Sequence, residues 1–373
     1  MDVGRIDALL AALLRGEAAA WPAAADSEVV LRRVRYHGVA ALLHERLRGG
    51  TDWPAELVRA VREDTRHAAM WELRHQQVLG ALLGALAGRG VRPLLFKGTA
   101  LAYGLYGNPV WRMRGDTDLI VGREDLAPTR EALAAQGFRR DLDAAGEVMS
   151  HAENWTFAGA ETGMHAVDLH RRLVSGAMLS GLFGYAELLA ASRALPCLGA
   201  AAFGLGHVHA LLLACLHRAK HDRSPYYSDG VAYLGGDRLI WLYDIHLLAG
   251  ALTAADWHMF TAMARTRGLG DVCRGALQAT AAHLGTRLPP TVPRALDAGG
   301  RSEPVAAYLA ADRLRALAMD LRAVDGVTDR LQYLRELCLP PVPYMRAKYA
   351  EARVTWLPWL YARRVVEGVR KRL

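Results

Sequence analysis

Two aspartates separated by one residue stand at the start of an apolar segment in the first half of the chain. Asp116 and Asp118 open the segment DTDLIV, which its apolar run predicts to be a strand. Strand side chains alternate between faces, so both carboxylates lie on one side and Thr117 on the other. Mg²⁺ and Mn²⁺ prefer carboxylate oxygens and also bind phosphate oxygens. The spacing therefore predicts a divalent metal site that holds a phosphate group.

A third carboxylate fits the same chemistry. Asp168 lies inside the apolar strand-like segment AVDLH, where a surface aspartate would be unusual. On a strand next to Asp118 it would complete a two-metal arrangement. His170 lies on the same side of the strand as Asp168, so it would either contact the bound group directly or hold one of its ligands in place. Asp141 and Asp143 repeat the D-x-D spacing, but no apolar strand follows them.

A glycine turn upstream would supply the phosphate-binding half of the site. Gly98 and Thr99 follow the short apolar segment VRPLLF and precede a helical segment. The first N–H groups of a helix, together with its dipole, favour phosphate. Gly98 permits close approach of the backbone, and Thr99 would add a hydroxyl donor or an N-cap. Lys97 precedes them and is one of only four lysines among 46 basic residues. It would contact a phosphate or carboxylate in a tight site, or simply be an exposed strand-end lysine.

Two arginines and one helix add further candidates. Arg112 and Arg114 lie just before the aspartate pair and would neutralise phosphate charge, or form a solvated basic loop. A later helix carries His217, Lys220 and His221 on one face, and this face would close over a nucleotide or its acceptor.

The same helix permits other interpretations. His217 and His221 together with His207 and His209 have the spacing of a zinc site, although no cysteine pair or matching carboxylate motif accompanies them. Ordinary structural histidines are the other alternative. Asp244 would either orient one of these histidines or be a partly buried structural residue.

The elements that must position these residues form three parts. Helical periodicity dominates up to Arg89, with Ser27 as the expected N-cap of one helix and a break expected in the helix that follows Pro54. Strand and helix patterns then alternate between residues 91 and 175, and helical patterns return from His207. The expected fold class is α+β, with a small mixed sheet between helical domains. The expected boundaries are an N-terminal helical region at 1–75, a core at 76–200 and a C-terminal helical domain at 201–373.

Composition restricts the function classes further. The chain of 373 residues has a formal net charge of +8, which favours an anionic partner. Four cysteines without C-x-x-C spacing, the lack of a signal-peptide pattern and the lack of an 18-residue apolar run predict a cytoplasmic protein without stable membrane insertion. The basic C-terminal segment would bind an acidic partner, RNA or a membrane surface, or pack as an ordinary helix. No P-loop, GxGxxG, HExxH or GxSxG motif is present.

The order of these segments resembles the nucleotidyltransferase superfamily typified by DNA polymerase β. That order is strand, glycine turn, helix, D-x-D strand and a lone aspartate on a later strand. The chain is most similar to a bacterial branch of nucleotidyltransferase-like proteins, from about Val91 to Leu248. Thr99 replaces the usual Ser and Thr117 the usual Ile. The segments that carry the resemblance read LLFKGTAL, RMRGDTDLIV, VDLHRRL, HALLLACLHRAKHD and RLIWLYDIHLL.

This resemblance implies a metal-dependent transfer of a nucleotidyl group from an NTP, ATP among them, with release of pyrophosphate. Asp116 and Asp118 would hold the metals, Asp168 would bind the second metal or act as base, and Gly98 and Thr99 would hold the β- and γ-phosphates. Relatives of this branch occur beside genes for peptide natural products, and the acceptor would be a modified peptide, a protein side chain or an RNA end. The alternative is a nucleotide-binding or regulatory module without turnover.

Overall fold

The computed structural model describes residues 1–50, 52–141, 151–159, 163–221, 226–228, 231–233, 236–297, 303–350 and 356–370. Asp143, the second aspartate of the repeated D-x-D spacing, lies outside these ranges. Over the described residues the chain forms a seven-stranded mixed sheet surrounded by helices. This confirms the predicted α+β fold class.

The N-terminal part is helical, as its periodicity predicts. Two details differ from expectation: the cap of the second helix is Asp26 rather than Ser27, and the fourth helix is continuous. Gly38 ends the second helix in the left-handed conformation, with φ 68°. The fourth helix crosses the expected boundary at residue 75, and the division into three domains stays a prediction. These helices are α1 (Val3–Leu14), α2 (Ser27–His37), α3 (Ala40–Leu47) and α4 (Ala55–Ala87).

The sheet combines parallel and antiparallel neighbours. Its spatial order is β3-β4-β5-β2-β1-β7-β6, in which the pairs β2–β5 and β1–β7 are parallel and the other pairs are antiparallel. The strands are β1 (Leu94–Phe96), β2 (Asp116–Ile120), β3 (Arg139–Arg140), β4 (Ala152–Gly159), β5 (Gly163–His170), β6 (Arg193–Ala194) and β7 (Phe203–Gly204). Between them lie α5 (Lys97–Gly104), α6 (Leu126–Ala135), α7 (Tyr185–Ala190) and short 3₁₀ helices at Pro109–Trp111, Arg123–Asp125 and Ala177–Leu179.

The remaining part is helical except for one hairpin that the sequence pattern did not indicate. The strands β8 (Tyr226–Ser228) and β9 (Val231–Tyr233) pair antiparallel after α8. The C-terminal helix packs Leu360 against Met345 and Tyr349, and the partner of its basic side chains stays a prediction. The helices are α8 (His207–His221), α9 (Leu239–Ala251), α10 (Ala254–Thr266), α11 (Gly270–Leu284), α12 (Thr291–Ala295), α13 (Pro304–Ala310), α14 (Arg313–Ala323), α15 (Val327–Cys338), α16 (Val342–Lys348) and α17 (Leu357–Arg370). Within the described residues no helix has the length and apolar character needed to cross a membrane.

Each face of the central sheet packs into a different core. Leu119 on β2 and Val167 on β5 belong to the core formed with α4 and α6. Phe96 on β1 and Ile120 on β2 belong to the larger core, which also contains α8, α9 and the N-terminal helices. Alternation along β2 therefore directs Asp116 and Asp118 to the same side as Ile120, toward the core that contains α8 and α9.

The N-cap of α2 gives a stability prediction. The Asp26 carboxylate accepts the backbone N–H groups of Glu28 at 2.9 Å and Val29 at 3.1 Å, whereas the Ser27 hydroxyl donates to Glu56. Asp26→Ala should lower the free energy of unfolding by about 1 kcal/mol, since both helix donors lose their acceptor. Ser27→Ala is the matched control and should lower it by less than about 0.5 kcal/mol. Urea unfolding of both variants measures this, and an equal loss for Ser27→Ala would contradict the assignment.

Candidate active site

The register of two parallel strands brings the three predicted carboxylates together. Asp118 on β2 lies opposite Asp168 on β5, and Asp116 lies opposite Ala166. Thr117 points to the other face, where its hydroxyl contacts His75 Nε2 at 2.7 Å. The three aspartates therefore occupy one face of two neighbouring strands.

Asp118 is the best-neutralised of the three. It is buried, at 4% exposed, and its Oδ1 atom accepts from Lys97 Nζ at 2.5 Å and lies 2.9 Å from His170 Nε2. Burial alone would raise the pKa of Asp118, but the charge of Lys97 and the His170 hydrogen bond lower it well below its usual value. Asp118 is therefore ionised near neutral pH.

Ionisation of Asp116 and Asp168 costs more free energy than ionisation of Asp118. Burial and the nearby charges of Asp118 and Asp168 raise the pKa of Asp116 to about 6. Asp116 is surrounded by protein atoms, but its surface is still accessible to solvent because it lines the open cavity. Burial and the charge of Asp118 also raise the pKa of Asp168, although Asn154 Nδ2 donates to Asp168 Oδ1 at 2.6 Å. A cation beside these groups would relieve their repulsion.

The donor set fits a divalent cation. One ligand atom from each of Asp118, Asp168 and His170 lies within 4.8 Å of the other two, and this is the one such group in the described part of the chain. Two carboxylates and an imidazole are ligands that Mn²⁺ and Mg²⁺ sites use, with carboxylates preferred by Mg²⁺. Asp116 adds a third carboxylate on the same face. These residues are therefore chemically suited to the predicted metal.

The turn between β1 and α5 holds Lys97 in an unusual backbone conformation. Lys97 has φ 52°, and among the described residues it is the one non-glycine residue with positive φ. Such a conformation costs free energy for a side chain larger than glycine, and the fold maintains it where Lys97 meets Asp118. Gly98 follows without a side chain, because a Cβ atom there would lie 3.2 Å from Arg114 Cδ.

The hydroxyl group of Thr99 contacts other groups of the protein. Thr99 is fully buried and does not line the cavity. Its Oγ1 atom accepts from Arg114 Nε at 2.8 Å, lies 2.9 Å from Thr117 Oγ1 and donates to the carbonyl of Asp116 at 3.3 Å. The hydroxyl is therefore engaged with protein groups in this arrangement, and phosphate binding at Thr99 stays a prediction. Thr99 instead ties α5 to the aspartate strand.

Arg112 and Arg114 differ from both expectations, because neither is free for phosphate and neither is solvated. Arg112 forms a bidentate ion pair with Asp244 on α9, with Nε–Oδ1 and Nη2–Oδ2 distances of 2.8 Å. Arg114 Nη2 donates to Glu72 on α4 at 2.8 Å. Asp244 pairs with Arg112 and accepts from Tyr106 at 2.7 Å, so the expectation that it orients a histidine is wrong. Each arginine neutralises an acid of a distant helix.

A cavity of about 610 Å³ lies between the site face of the sheet and helices α8 and α9. This volume is within the usual range of about 300–1,000 Å³ for small-molecule sites. Of the predicted site residues, Thr99, Lys220 and Asp168 are outside its lining, and Asp168 borders the site through its neighbour Asp118. The predicted residues that line it are Lys97, Gly98, Arg112, Arg114, Asp116, Asp118, His217 and His221.

The α8 histidines form an aromatic wall of this cavity. The rings of His217 and His221 lie 4.4 Å apart, and both contact the Trp241 ring, at 5.2 and 5.1 Å. Burial and the charge of Lys97 lower the pKa of His217 well below its usual value. Burial and the charges of Lys220 and Lys97 lower the pKa of His221 to about 4. Both imidazoles are therefore neutral near pH 7.

Two further interpretations of α8 concern Lys220 and a zinc site. Lys220 Nζ donates to the Ser175 hydroxyl, and burial lowers the pKa of Lys220 to about 8. Nucleotide contact by Lys220 is therefore not supported by this position. His209 Nε2 binds Glu187 at 2.7 Å, and no four-histidine group forms among the described residues, so the zinc interpretation is wrong.

Sequence reasoning missed the α9 side of the cavity. Tyr226, Arg238 and Trp241 line it, and none of them was predicted at the site, although Arg238 and Trp241 lie in the segment RLIWLYDIHLL that carries the resemblance. The basic start of the segment RLIWLYDIHLL was the available signal, because an arginine that enters an otherwise apolar helix must be buried or paired.

The region that contains these site residues also matches a known protein family. A family model described as an uncharacterised nucleotidyltransferase matches residues 23–285. The chain belongs to this family. The prediction of a nucleotidyltransferase enzyme is thereby confirmed, and the matched range contains the sheet, the three aspartates and helices α8 and α9. No curated protein matches the chain.

The crowding of carboxylates around Asp116 predicts a pH-dependent stability change. Its folded-state pKa of about 6 is above the ordinary 3.8, so the proton favours the folded state. The destabilisation by Asp116 is therefore absent well below the lower value, grows as the pH rises between the two values and is complete above pH 6. Asp116→Asn should raise the melting temperature of the chelator-treated protein at about pH 7.5 and change it little at about pH 4.

Calorimetric unfolding at the two pH values measures this effect. Glu131→Gln on the exposed surface of α6 is the control, and its melting temperature should follow that of the wild-type protein. A melting temperature that Asp116→Asn leaves unchanged or lowers at the higher pH would contradict the proposed repulsion.

Proposed function

We propose that this protein transfers a nucleotidyl group from an NTP to an acceptor with release of pyrophosphate. The observation that carries the proposal is the β2–β5 register, which aligns Asp118 with Asp168 and directs Asp116 to the wall of a nucleotide-sized cavity. The resemblance to the DNA polymerase β superfamily and its bacterial branch supports the same chemistry. The acceptor would be a modified peptide, a protein or an RNA, in a cytoplasmic and natural-product context.

Asp116, Asp118 and Asp168 would hold Mg²⁺ or Mn²⁺. The bound metal would neutralise phosphate charge and polarise the phosphoryl oxygens during transfer. Asp118 enters this role already ionised, because Lys97 and His170 stabilise its negative charge. Asp168 lies beside it and would take part either in metal binding or as the base for an acceptor hydroxyl.

The turn at Lys97 and Gly98 would orient the phosphates. Lys97 lines the cavity with its ammonium at Asp118, where it would also reach a phosphate oxygen. Gly98 brings the backbone to the cavity wall without a side chain. Arg112 and Arg114 would act indirectly, because their buried ion pairs with Asp244 and Glu72 fix the loop that leads into β2.

The aromatic wall on α8 and α9 would receive the nucleobase. His217 and His221 are neutral near pH 7 and contact Trp241, so this wall combines ring faces with hydrogen-bonding nitrogens. His221 Nδ1 is buried and has no hydrogen-bond partner among the described residues. Aromatic side chains on which bases stack are worth roughly 1–3 kcal/mol per base in nucleic-acid complexes.

Pyrophosphate release tests the proposed function. Each of the four NTPs is incubated with Mg²⁺ or Mn²⁺ and candidate peptide, protein and RNA acceptors. We expect release with at least one acceptor and its loss in Asp118→Asn, because the carboxylate that holds the metal is removed. Asp141→Asn is the matched control and should keep the wild-type rate, since Asp141 does not line the cavity.

Two outcomes would contradict the proposal. Undiminished release by a folded Asp118→Asn variant would exclude the metal mechanism. Tight NTP binding without release for any acceptor class would favour the nucleotide-binding or regulatory module instead.

Lys97 gives a separate prediction about the phosphate-binding turn. Lys97→Arg keeps the charge and the positive φ, but its wider planar guanidinium does not fit the contact that the ammonium makes with Asp118. We expect transfer to fall at least tenfold, which is about 1.4 kcal/mol on the barrier. The melting temperature should change little, because Lys97 is partly exposed and no core volume is lost. Equal rates for the variant and the wild-type enzyme would show that Lys97 acts only as a neighbouring charge.

A further inference from the structure

Three arginines with buried guanidinium groups line the cavity, and they differ in how their charge is balanced. Arg112 is paired with Asp244, and Arg114 with Glu72. Arg238, at the N-terminus of α9, is equally buried, at 8% exposed, but it forms no ion pair with any described residue. A buried guanidinium without a counter-charge is rare, because the loss of water around it is costly.

The nearest carboxylates along the chain are already committed. Asp237 gives both oxygens to Arg218 on α8, at 2.5 and 2.7 Å. Asp244 gives both oxygens to Arg112 and also accepts from Tyr106. Both acids are therefore paired with other arginines, and no described carboxylate forms an ion pair with Arg238.

Arg238 is nevertheless held in a defined position. Its Nε atom donates to the carbonyl of Tyr36 at 2.6 Å. Its guanidinium carbon lies 3.8 Å from the centre of the Tyr226 ring and 5.2 Å from that of Trp241. These contacts leave the two terminal nitrogens without a hydrogen-bond partner in the described part of the chain. Burial lowers the pKa of Arg238 to about 10, so it is still charged near neutral pH.

We propose that Arg238 binds an oxyanion of a substrate that occupies the cavity. The planar fork of a guanidinium matches two oxygens of a phosphate or carboxylate, and such charge-assisted bonds are stronger than neutral ones. The neighbouring His217 and His221 are neutral, so Arg238 supplies the positive charge on this wall. The inference rests on the proposed function in one respect: the cavity is taken as the substrate site.

Two sources would present this oxyanion. It is either a phosphate of the NTP or an anionic group of the acceptor, such as a phosphate or a carboxylate. The first source makes Arg238 part of nucleotide affinity, and the second makes it a residue that selects an anionic acceptor. Measuring NTP affinity in the absence of acceptor separates these sources. Substitution of Arg238 lowers this affinity if Arg238 contacts the NTP, and leaves it unchanged if Arg238 contacts only the acceptor.

The experiment compares Arg238→Gln with Arg274→Gln by titration calorimetry. Inorganic pyrophosphate is titrated with a chelator present, so that no metal is required, and each NTP is titrated with Mg²⁺ and without acceptor. Arg238→Gln should weaken pyrophosphate binding at least tenfold. Arg274→Gln is matched because it also removes a helix-associated guanidinium, but one that pairs with Asp271 outside the cavity. The pyrophosphate affinity of this variant should stay within about twofold of wild type.

The NTP titrations then identify the source. A parallel loss of NTP affinity in Arg238→Gln assigns the oxyanion to the nucleotide, and unchanged NTP affinity assigns it to the acceptor. Arg238→Lys keeps the charge but not the fork, so its pyrophosphate affinity should be intermediate, and it serves as the second variant if Arg238→Gln does not fold.

Wild-type pyrophosphate affinity in a folded Arg238 variant would overturn the inference, as would a wild-type protein that binds neither pyrophosphate nor NTP. Because the pyrophosphate titration involves no turnover, a failure of nucleotidyl transfer alone leaves its result intact. If the wild-type protein shows no nucleotidyl transfer but binds pyrophosphate in a way that depends on Arg238, the proposed function is contradicted and the anion site is supported.

Discussion

The parallel pairing of β2 with β5 places three carboxylates on one face of two neighbouring strands, and their mutual repulsion is the constraint that the surrounding structure must satisfy. Lys97 and His170 satisfy it for Asp118, which they hold ionised. Asp116 and Asp168 are left with raised pKa values, which is the state that a bound cation would relieve. The unusual backbone at Lys97 follows from the same need, because it places an ammonium directly on Asp118. The carboxylates and the Lys97 backbone therefore lower the stability of the fold at this site, and a bound cation would offset the repulsion between the carboxylates.

Buried ion pairs transmit this arrangement to the helices. Arg112 and Arg114 leave the loop before β2 in two directions, one to Asp244 on α9 and the other to Glu72 on α4. Removing one partner of a buried pair typically costs about 3–5 kcal/mol, so these contacts fix the loop strongly. Helix α9 also lines the cavity, where Arg238 is buried and has no ion-pair partner among the described residues. The contrast between satisfied and unsatisfied arginines separates residues that build the site from one that is available to a ligand.

Local patterns in the sequence predicted most of the helices and strands. The contacts that were not predicted are mainly those between residues far apart in the chain. Alternation along DTDLIV was enough to predict that Asp116 and Asp118 share a face, whereas the position of Asp168 beside Asp118 depends on the β2–β5 pairing. Nothing local indicates that Arg112 meets Asp244, which is 132 residues away, and so the arginines were misread as phosphate ligands or a solvated loop. The protein partners of the Thr99 hydroxyl, Arg114 and Thr117, were not predicted for a similar reason. The hairpin β8–β9 lies among Ser, Pro and Gly residues that are typical of breaks between elements, although its Tyr226 lines the cavity.

The central claim is that these carboxylates bind a metal together with an NTP. A crystal structure of the complex with Mn²⁺ and a non-hydrolysable NTP analogue tests it most directly, because the anomalous signal locates the metal independently of any assumed mechanism. The account predicts an anomalous peak within bonding distance of both Asp118 and Asp168, about 2.0–2.3 Å, with phosphate oxygens among the other ligands. Nucleotide bound in the cavity with no metal on these aspartates, or metal and nucleotide bound elsewhere, would contradict it.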